Sequence, residues 1–324
     1  MIMFLNYFIL LNIFILTLLS LFFTDLIMIW FILEINNFLF ICALNFSMNN
    51  KKMIFFYFLI QIMASFIIML SIILNFIFLK NNFISYLLIL ALMMKLSIPP
   101  LHLWLPLIAK FLPWNMLLIL LTLQKIIPFY VLSLIAFHSY ILYLLIFFCS
   151  IIPPYLMLNM INFKMLMSYS SINQTSWMIL LIYMKNIIWF KYFLFYSFIT
   201  FSLFSSMYIY KLSMTSNYMK SHYKFNFLFI IFLFNLAGFP PFSFFFMKWF
   251  SMFIFLKSSS MIIILLVMML SSLIMLYIYV NMMINLFFIF KTKSKLIPMN
   301  LSMSIPLSST YFISLLFSLI ILII

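Results

Sequence analysis

Apolar stretches of about 20 residues follow one another along most of this chain. A helix of that length crosses the roughly 30 Å of hydrocarbon in a bilayer. Only 6% of the residues are charged and 69% are hydrophobic, so the chain lacks the polar residues that would cover a water-facing surface. The chain has a single Gly, and its apolar and polar residues do not alternate as they do in the strands of a membrane β-barrel. Helices are therefore favoured over a closed barrel. The sequence therefore predicts an all-α polytopic membrane protein.

We predict about eleven transmembrane helices, with ten as the alternative. The first stretch has no basic start and no small-residue cleavage site, so we expect it to be a span rather than a signal peptide. The ninth is too long for one straight helix, and we expect it to be broken near its middle. The predicted spans are residues 1–23, 26–46, 53–79, 83–105, 114–136, 139–160, 163–184, 187–212, 225–256, 261–288 and 305–324.

The lysines indicate how the chain is oriented. The net charge is +15, but its 17 basic residues are all lysines, and they lie mostly at the ends of apolar runs. A bilayer explains that distribution better than a nucleic-acid partner does. Ten lysines fall in loops after even-numbered spans and four in loops after odd-numbered spans. The positive-inside rule then places the N-terminus on the cytoplasmic or matrix side and the C-terminus on the other.

Four charged residues lie well inside the predicted spans, away from the span ends: Glu34, Lys95, Lys125 and Lys248. Glu34 follows Asp25 at the membrane edge by nine residues, and a rise of ~1.5 Å per residue puts it about 13 Å deep. A charge near the bilayer centre costs about 3 kcal/mol on insertion scales. Each side chain either reaches an interface or a structural ion pair, or belongs to a polar route through the membrane. For the four together we favour the polar route.

Two predicted spans, the fourth and the ninth, share a helix-breaking pattern. Proline lacks the N–H of a helical hydrogen bond, and its ring clashes with the preceding turn, so both helices should break. A double proline alone is a weak signal, since span six has one too. Two breaks at matching places in two halves are more typical of transporters with inverted repeats. The breaking residues are Pro99 and Pro100 in span four, and Gly238, Pro240 and Pro241 in span nine.

The spacing of the two breaks predicts the domain organisation. Pro240 follows Pro99 by 141 residues, about five spans, and an odd number of spans inverts the second half. We predict a single domain over 1–324, with repeats at about 1–136 and 139–288 and a C-terminal helix at about 305–324. The same offset from Glu34 reaches Thr175, inside the polar run 168–176. That run either places neutral hydrogen-bonding groups where the first half has its carboxylate, or holds neighbouring helices together.

Five ordered blocks of the sequence together form a recognisable pattern: Trp30–Asn36, Lys95–Pro106, Leu123–Pro128, Tyr169–Asn173, and Gly238–Pro241 with Lys248-Trp249. In this order they resemble the NADH dehydrogenase subunit 2 family, the antiporter-like membrane subunits of respiratory complex I, in their short animal mitochondrial form. Each block alone is modest support, and the ordered set is specific.

The resemblance implies two inverted five-helix repeats with broken helices in spans four and nine. It also implies a proton path through Glu34, Lys95, Lys125 and Lys248. We expect Glu34 and Lys95, on neighbouring spans, to form an ion pair whose loosening releases a proton along waters held by the broken helices. His102 is a possible relay, although a packed imidazole explains it as well.

The chain departs from the family pattern at several positions. Gln174 and Ser176 stand where the family usually has His and Gly, and a Gln cannot titrate. The family also has more Gly around both breaks, where Ser97 and Ser243 are expected to take its place.

The resemblance also implies where the redox chemistry lies. The sequence has no Cys cluster, no Gly-rich phosphate loop and no paired-His haem site. We therefore expect this chain to bind no cofactor and to contain no redox centre. NADH, FMN, iron–sulfur clusters and ubiquinone would be used by other subunits.

The implied location is the mitochondrial inner membrane, with the N-terminus on the matrix side and the C-terminus on the intermembrane-space side. A composition of 46 Phe, 29 Met and one Gly fits an AT-rich mitochondrial gene. Expected partners are other complex I membrane subunits, including neighbouring antiporter-like subunits, accessory subunits, and lipids such as cardiolipin. Two alternatives stay open: a stand-alone cation/proton antiporter of the related family, and a non-transporting receptor or scaffold.

Overall fold

The computed structural model describes residues 2–78, 82–135, 139–184, 188–209, 231–240, 242–258 and 262–293. All regular secondary structure in these ranges is helical, as predicted. Within them, six segments are long and apolar enough to span a membrane, and three shorter helices are also apolar. The predicted eleventh span, 305–324, lies outside the described residues, as do residues 225–230 of the ninth.

The helices follow the apolar stretches closely, and most begin or end within a few residues of the predicted limits. In chain order the helices of the described ranges are α1 (Ile2–Ser20), α2 (Leu26–Ser47), α3 (Lys51–Phe78), α4 (Asn82–Leu96), α5 (Trp104–Ala109), α6 (Trp114–Leu121), α7 (Leu123–Leu134), α8 (Ser139–Met157), α9 (Phe163–Tyr183), α10 (Ile188–Ile209), α11 (231–237), α12 (Ser243–Ser258) and α13 (Ile262–Lys293).

The chain forms two compact units, Met1–Cys149 and Ser150–Ile324. In the first unit α2 packs against α1 and α3, and α3 packs against α4. The Tyr130 hydroxyl of α7 donates a hydrogen bond of 3.0 Å to the carbonyl of Phe23 before α2. In the second unit α9 contacts α10, α12 and α13, and its residues are buried without interruption from Leu166 to Ile182.

The first predicted break is present at the end of α4, in a Schellman arrangement. The N–H of Ile98 donates to the Met93 carbonyl at 2.9 Å, and the N–H of Ser97 donates to the Met94 carbonyl at 3.3 Å. Ser97 has a φ of +56°, in the left-handed region that usually favours glycine. As expected from the sequence, a serine here takes the place of a glycine, and the chain resumes as α5 at Trp104.

The second break, after α11, repeats the same hydrogen bonds 141 residues later. The N–H of Phe239 donates to the Phe234 carbonyl at 3.1 Å, and the N–H of Gly238 donates to the Asn235 carbonyl at 3.0 Å. Gly238 has a φ of +79°, and the Phe234 and Phe239 rings lie 5.5 Å apart. Such an apolar contact commonly accompanies the Schellman motif. Of the predicted breaking residues, Pro241 lies outside the described residues.

Ser243 differs from Ser97 in its backbone conformation. It does not adopt a positive φ and is the first residue of α12, where its hydroxyl donates to Asn235 Oδ1 at 3.1 Å. The same oxygen accepts from the N–H of Phe244 at 3.2 Å. Asn235 therefore accepts from a free main-chain donor at the start of α12 and from the Ser243 hydroxyl, a bond that a glycine at position 243 could not make.

A third break interrupts span five, which was predicted as one helix over 114–136. Thr122 separates α6 from α7, with φ −116° and ψ −85°, outside the helical region. Its hydroxyl donates to the Leu118 carbonyl at 2.7 Å, the side-chain-to-backbone bond by which Thr competes with regular helix. The Lys125 N–H donates to the Thr122 carbonyl at 2.9 Å, which places Lys125 on the first turn of α7.

Candidate functional site

The two oppositely charged side chains of the predicted site form an ion pair in the first unit. Lys95 Nζ lies 3.3 Å from Glu34 Oε1, and their side chains are 2% and 16% exposed. Glu34 is the ninth residue of the 22-residue α2, and the Asn37 amide donates to the same carboxylate oxygen at 3.5 Å. The predicted pairing of Glu34 with Lys95 is therefore confirmed. A buried pair of this kind holds its charges only while both partners are present.

The break beside Lys95 positions its ammonium. Lys95 lies in the last turn of α4, where main-chain carbonyls lack helical partners and the negative end of the helix dipole favours a cation. Trp104 Nε1 of α5 donates to the Met94 carbonyl at 3.0 Å. The chain after the break is thus tied back to the residue next to Lys95, which fixes the end of the helix.

A polar cavity joins Lys95 to Lys125. Both lysines line it, and it has room for about one water molecule. Both lysines are also buried, with 5% and 3% of their surface exposed. Asn36 Oδ1 and Gln124 Nε2 face no hydrogen-bond partner within the described part of the chain. Since buried amides are normally hydrogen-bonded, these two are suited to bind water between the lysines. The polar residues lining the cavity are Asn36, Asn37, Tyr57, Gln61, Lys95, Gln124 and Lys125.

A second, more open cavity lies against Glu34. Its wall includes Glu34, Asn37 and Gln61, together with apolar residues such as Phe38 and Phe58. Asn37 and Gln61 line both cavities. The polar groups are therefore continuous from the carboxylate, past two amides, to the cavity that contains Lys95 and Lys125.

His102 is buried but lines neither of these cavities. Its Nδ1 lies 3.3 Å from the carbonyl of Pro100. The structure places the imidazole against the backbone of the break and does not bring it together with the two lysines.

The fourth predicted residue, Lys248, belongs to the second unit and lies on α12. It is only 5% exposed, which argues against a side chain that reaches out to an interface. Its Nζ lies 3.5 Å from the Ala237 carbonyl at the end of α11 and 5.3 Å from the centre of the Phe244 ring. A Cβ built on Gly238 would lie 3.2 Å from the same Nζ. The second break therefore leaves space for the ammonium group.

The polar run of α9 is mostly satisfied within its own helix. Ser168, Ser171 and Ser176 donate to carbonyls three residues earlier, at 2.6, 2.6 and 2.7 Å. Gln174 instead accepts a hydrogen bond of 2.7 Å from the Tyr192 hydroxyl of α10. This position, where the sequence departs from the family pattern, thus links two helices of the second unit.

The space around Gly238 predicts the result of a substitution. Gly238→Ala should lower the free energy of unfolding by about 1–2 kcal/mol, since an L residue is strained at this φ and its Cβ would press on Lys248. Ser97→Gly is the matched variant, because it relieves a left-handed L residue. It should leave stability unchanged or raise it by up to about 1 kcal/mol. Thermal denaturation of the purified protein in detergent measures both changes. Equal destabilisation by both variants would contradict this account.

Sequence reasoning missed several residues that line the cavity between the lysines. Gln61 is the one amide side chain in the first half of the otherwise apolar α3, and that isolation was a usable signal. Tyr57 lies one turn earlier on the same helix. Asn36 and Gln124 stood within blocks that carried the family resemblance, but they were given no role there.

The sequence also matches a family of known proteins. Residues 24–275 match the family described as NADH:quinone oxidoreductase/Mrp antiporter, transmembrane. The chain is 34% identical over 246 residues to NADH-ubiquinone oxidoreductase chain 2 of Anopheles gambiae, and the match covers 68% of each chain.

Two solved structures have a similar fold. A chain of respiratory complex I from Thermus thermophilus, with bound aureothin, matches with a TM-score of 0.84 at 18% identity, covering 98% of this chain and 78% of that one. A chain of the Mrp complex from a Dietzia species matches with a TM-score of 0.69 at 15% identity, covering 79% and 55%. At these identities the matches show a shared fold. Together with the sequence matches, they show that this chain belongs to the NADH-ubiquinone oxidoreductase chain 2 family of antiporter-like membrane proteins.

Proposed function

We propose that this chain, as a core membrane subunit of proton-pumping NADH:ubiquinone oxidoreductase (complex I), carries protons through Glu34, Lys95, Lys125 and Lys248. The observation that supports this path most directly is the Glu34–Lys95 ion pair, whose lysine lines the same polar cavity as Lys125. Three of the four residues thus lie along one set of connected polar groups. An apolar helix bundle has no structural need for buried charges of this kind.

The chemistry follows from how a buried ammonium is stabilised. While the Glu34 carboxylate lies against Lys95, the positive charge has a counter-charge in surroundings of low dielectric constant. If the carboxylate is protonated or drawn away, the ammonium loses that counter-charge and releases a proton more readily. A water bound to Asn36 and Gln124 can take up this proton and donate it to the Lys125 amine. The lysines thus act as stations between which a proton moves.

We also propose that the chain contains no redox centre and binds no cofactor itself. Its two cysteines, Cys42 and Cys149, lie on different helices, and an iron–sulfur cluster requires several. Electron transfer from NADH to ubiquinone, with FMN and iron–sulfur clusters, belongs to other subunits. The relatives' name, NADH-ubiquinone oxidoreductase, supports a place for this chain in such an enzyme.

The proposed setting is the mitochondrial inner membrane, with the N-terminus on the matrix side as lysine counting predicts. Neighbouring antiporter-like subunits, accessory subunits and lipids such as cardiolipin are the proposed partners. The proposed domain arrangement is two inverted repeats, and it is supported by the recurrence of the same hydrogen bonds at both breaks.

A stand-alone cation/proton antiporter is the second candidate function. The family description includes Mrp antiporters, and the fold resembles that of a chain in an Mrp complex. The two candidates differ in assembly. A respiratory subunit comigrates with NADH-oxidising activity, whereas a free antiporter does not.

The experiment replaces Lys125 by Met in the intact membrane, with Lys110→Met as the control. Lys110 is exposed between α5 and α6 and lines neither cavity. We expect Lys125→Met to slow NADH-driven proton uptake into membrane vesicles by about a hundredfold, the lower end of the range for loss of a positioned proton-transfer group. The control should pump normally.

A native gel of the same membranes, stained for NADH oxidation, measures assembly. Both variants should appear in the large NADH-oxidising band. Normal pumping by Lys125→Met would contradict the proposed path. A chain that migrated near its own 39.0 kDa, apart from the NADH-oxidising band, would instead favour the stand-alone antiporter.

A further inference from the structure

The second unit must hold its buried cation without a carboxylate. The whole sequence contains two acidic residues, Asp25 and Glu34, and both belong to the first unit. Lys95 therefore has a counter-ion in its own unit, whereas Lys248 has none within residues 150–324. A buried ammonium nonetheless needs groups that compensate for its lost hydration. In the second unit these groups have to be neutral.

Three neutral features surround the Lys248 ammonium. The Ala237 carbonyl lies 3.5 Å from Nζ, at the negative end of α11, where a cation is favoured. The Phe244 ring centre lies 5.3 Å from Nζ, within the roughly 6 Å over which a ring face attracts a cation. Gly238 removes the side chain that would occupy the same space. Phe244 precedes Lys248 by four residues, so the two share one face of α12.

The Phe244 ring is itself fixed by α10 and α9. The Tyr192 ring packs on it with ring centres 5.1 Å apart and an angle of 52° between the planes. The Tyr192 hydroxyl donates to Gln174 Oε1 at 2.7 Å. Phe244 and Tyr192 are fully buried, and Gln174 is 2% exposed. A hydrogen bond between α9 and α10 thus sets the position of the ring against which the Lys248 ammonium lies.

We propose that Phe244 is a positioning residue, and that its π face takes the place of a counter-ion for Lys248. Tyr192, anchored on Gln174, holds that ring in place. This inference rests on the proposed function, since it assigns Lys248 to the proton path. Lys95 and Lys248 are then stabilised differently: Lys95 by a carboxylate that can be neutralised, and Lys248 by an aromatic ring whose charge distribution is permanent.

The test is a series of substitutions at Phe244 in the intact complex, assayed by NADH-driven proton uptake and normalised to assembled complex. Phe244→Leu keeps an apolar side chain but loses the ring, and should slow proton uptake about tenfold. Phe244→Trp keeps a ring with a stronger attraction for cations and should retain most of the rate. Tyr192→Phe keeps the ring contact but loses the anchor on Gln174, and should give an intermediate loss of about threefold.

The control is Phe250→Leu on the same helix, at a ring that is 43% exposed. It should pump normally. If Phe244→Leu fails to assemble, Phe244→Met is used instead, because its flexible side chain fills irregular space without a ring. Proton uptake that is equally slow in the Leu (or Met) and Trp variants would show that packing, not the ring face, matters, and would overturn the proposal.

Lys248→Met separates this inference from the proposed function. Impaired uptake in Lys248→Met with normal uptake in Phe244→Leu would refute the aromatic positioning while leaving the path intact. Normal uptake in Lys248→Met would remove Lys248 from the path, and the inference would fail with it. Slow proton uptake in both Lys248→Met and Phe244→Leu, with most of the rate retained in Phe244→Trp, would support the proton path and the aromatic positioning together.

Discussion

Replacing Glu34 by Gln is expected to reduce NADH-driven proton pumping at least about tenfold while leaving the fold intact. Gln has nearly the same shape and still accepts a hydrogen bond from Asn37. It carries no charge, so Lys95 loses the counter-charge that now lies 3.3 Å from its Nζ. Without a carboxylate that alternates between charged and neutral, the lysine has no partner to control when its proton is released.

The measurement is proton uptake per NADH oxidised in sealed membrane vesicles, beside NADH oxidation with an artificial electron acceptor. Oxidation with the acceptor should be unchanged, because electron transfer is assigned to other subunits. The matched control is Asp25→Asn, the other acidic residue, which is exposed at the start of α2 and makes no capping hydrogen bond there. If Glu34→Gln pumps at the normal rate and stoichiometry, the carboxylate is not part of the path.

Replacing Lys95 by Met is expected to affect stability as well as pumping. The Glu34 carboxylate would lose its ammonium partner, and removing one member of a buried ion pair costs about 3 kcal/mol. The double variant Glu34→Gln/Lys95→Met contains neither charge, so its free energy of unfolding should return to within about 1 kcal/mol of the original. Its pumping should stay as low as that of the single variants.

Denaturation in detergent and vesicle pumping, measured on all four proteins, separate the two roles of the pair. Recovery of stability without recovery of pumping is the expected pattern. A double variant as unstable as Lys95→Met would show that the lysine stem, rather than the ion pair, stabilises the packing of α4. A double variant that pumps normally would contradict the proton path itself.

Much of this fold could be predicted from sequence because the bilayer imposes simple rules on apolar length and on proline. The limits of α2 and α9 follow from where apolar runs end, and the breaks at Pro99 and after Gly238 follow from missing N–H donors. The ion pair followed from two opposite charges inside spans two and four. Buried charges in lipid have few possible partners, so that pairing was strongly constrained.

The break at Thr122 could not be predicted in the same way. No Gly or Pro lies within five residues of it, and a threonine inside an apolar helix usually bonds its own helix without ending it. The interruption depends on how α6 and α7 pack, which is tertiary information. It matters for function because it sets the direction of Lys125 toward the cavity shared with Lys95.

The contact between Lys248 and the Phe244 ring could be predicted from the sequence only in part. The spacing of Phe244 and Lys248, four residues apart on one helix, was visible in the sequence. With 46 Phe in the chain, such spacings are too common to single out one pair. Only the Tyr192 ring on α10, and its hydrogen bond to Gln174 on α9, distinguish this phenylalanine from the others.

The only glycine of the protein bears on which substitutions the chain tolerates. Both breaks place a residue in the left-handed region, and that residue is Ser97 in one break and Gly238 in the other. The turn by itself therefore does not require a glycine. At Gly238 a Cβ would meet the Lys248 ammonium at 3.2 Å. A side chain at position 238 is thus opposed by the neighbouring lysine as well as by the backbone, so the two breaks differ in tolerance although their hydrogen bonds are the same.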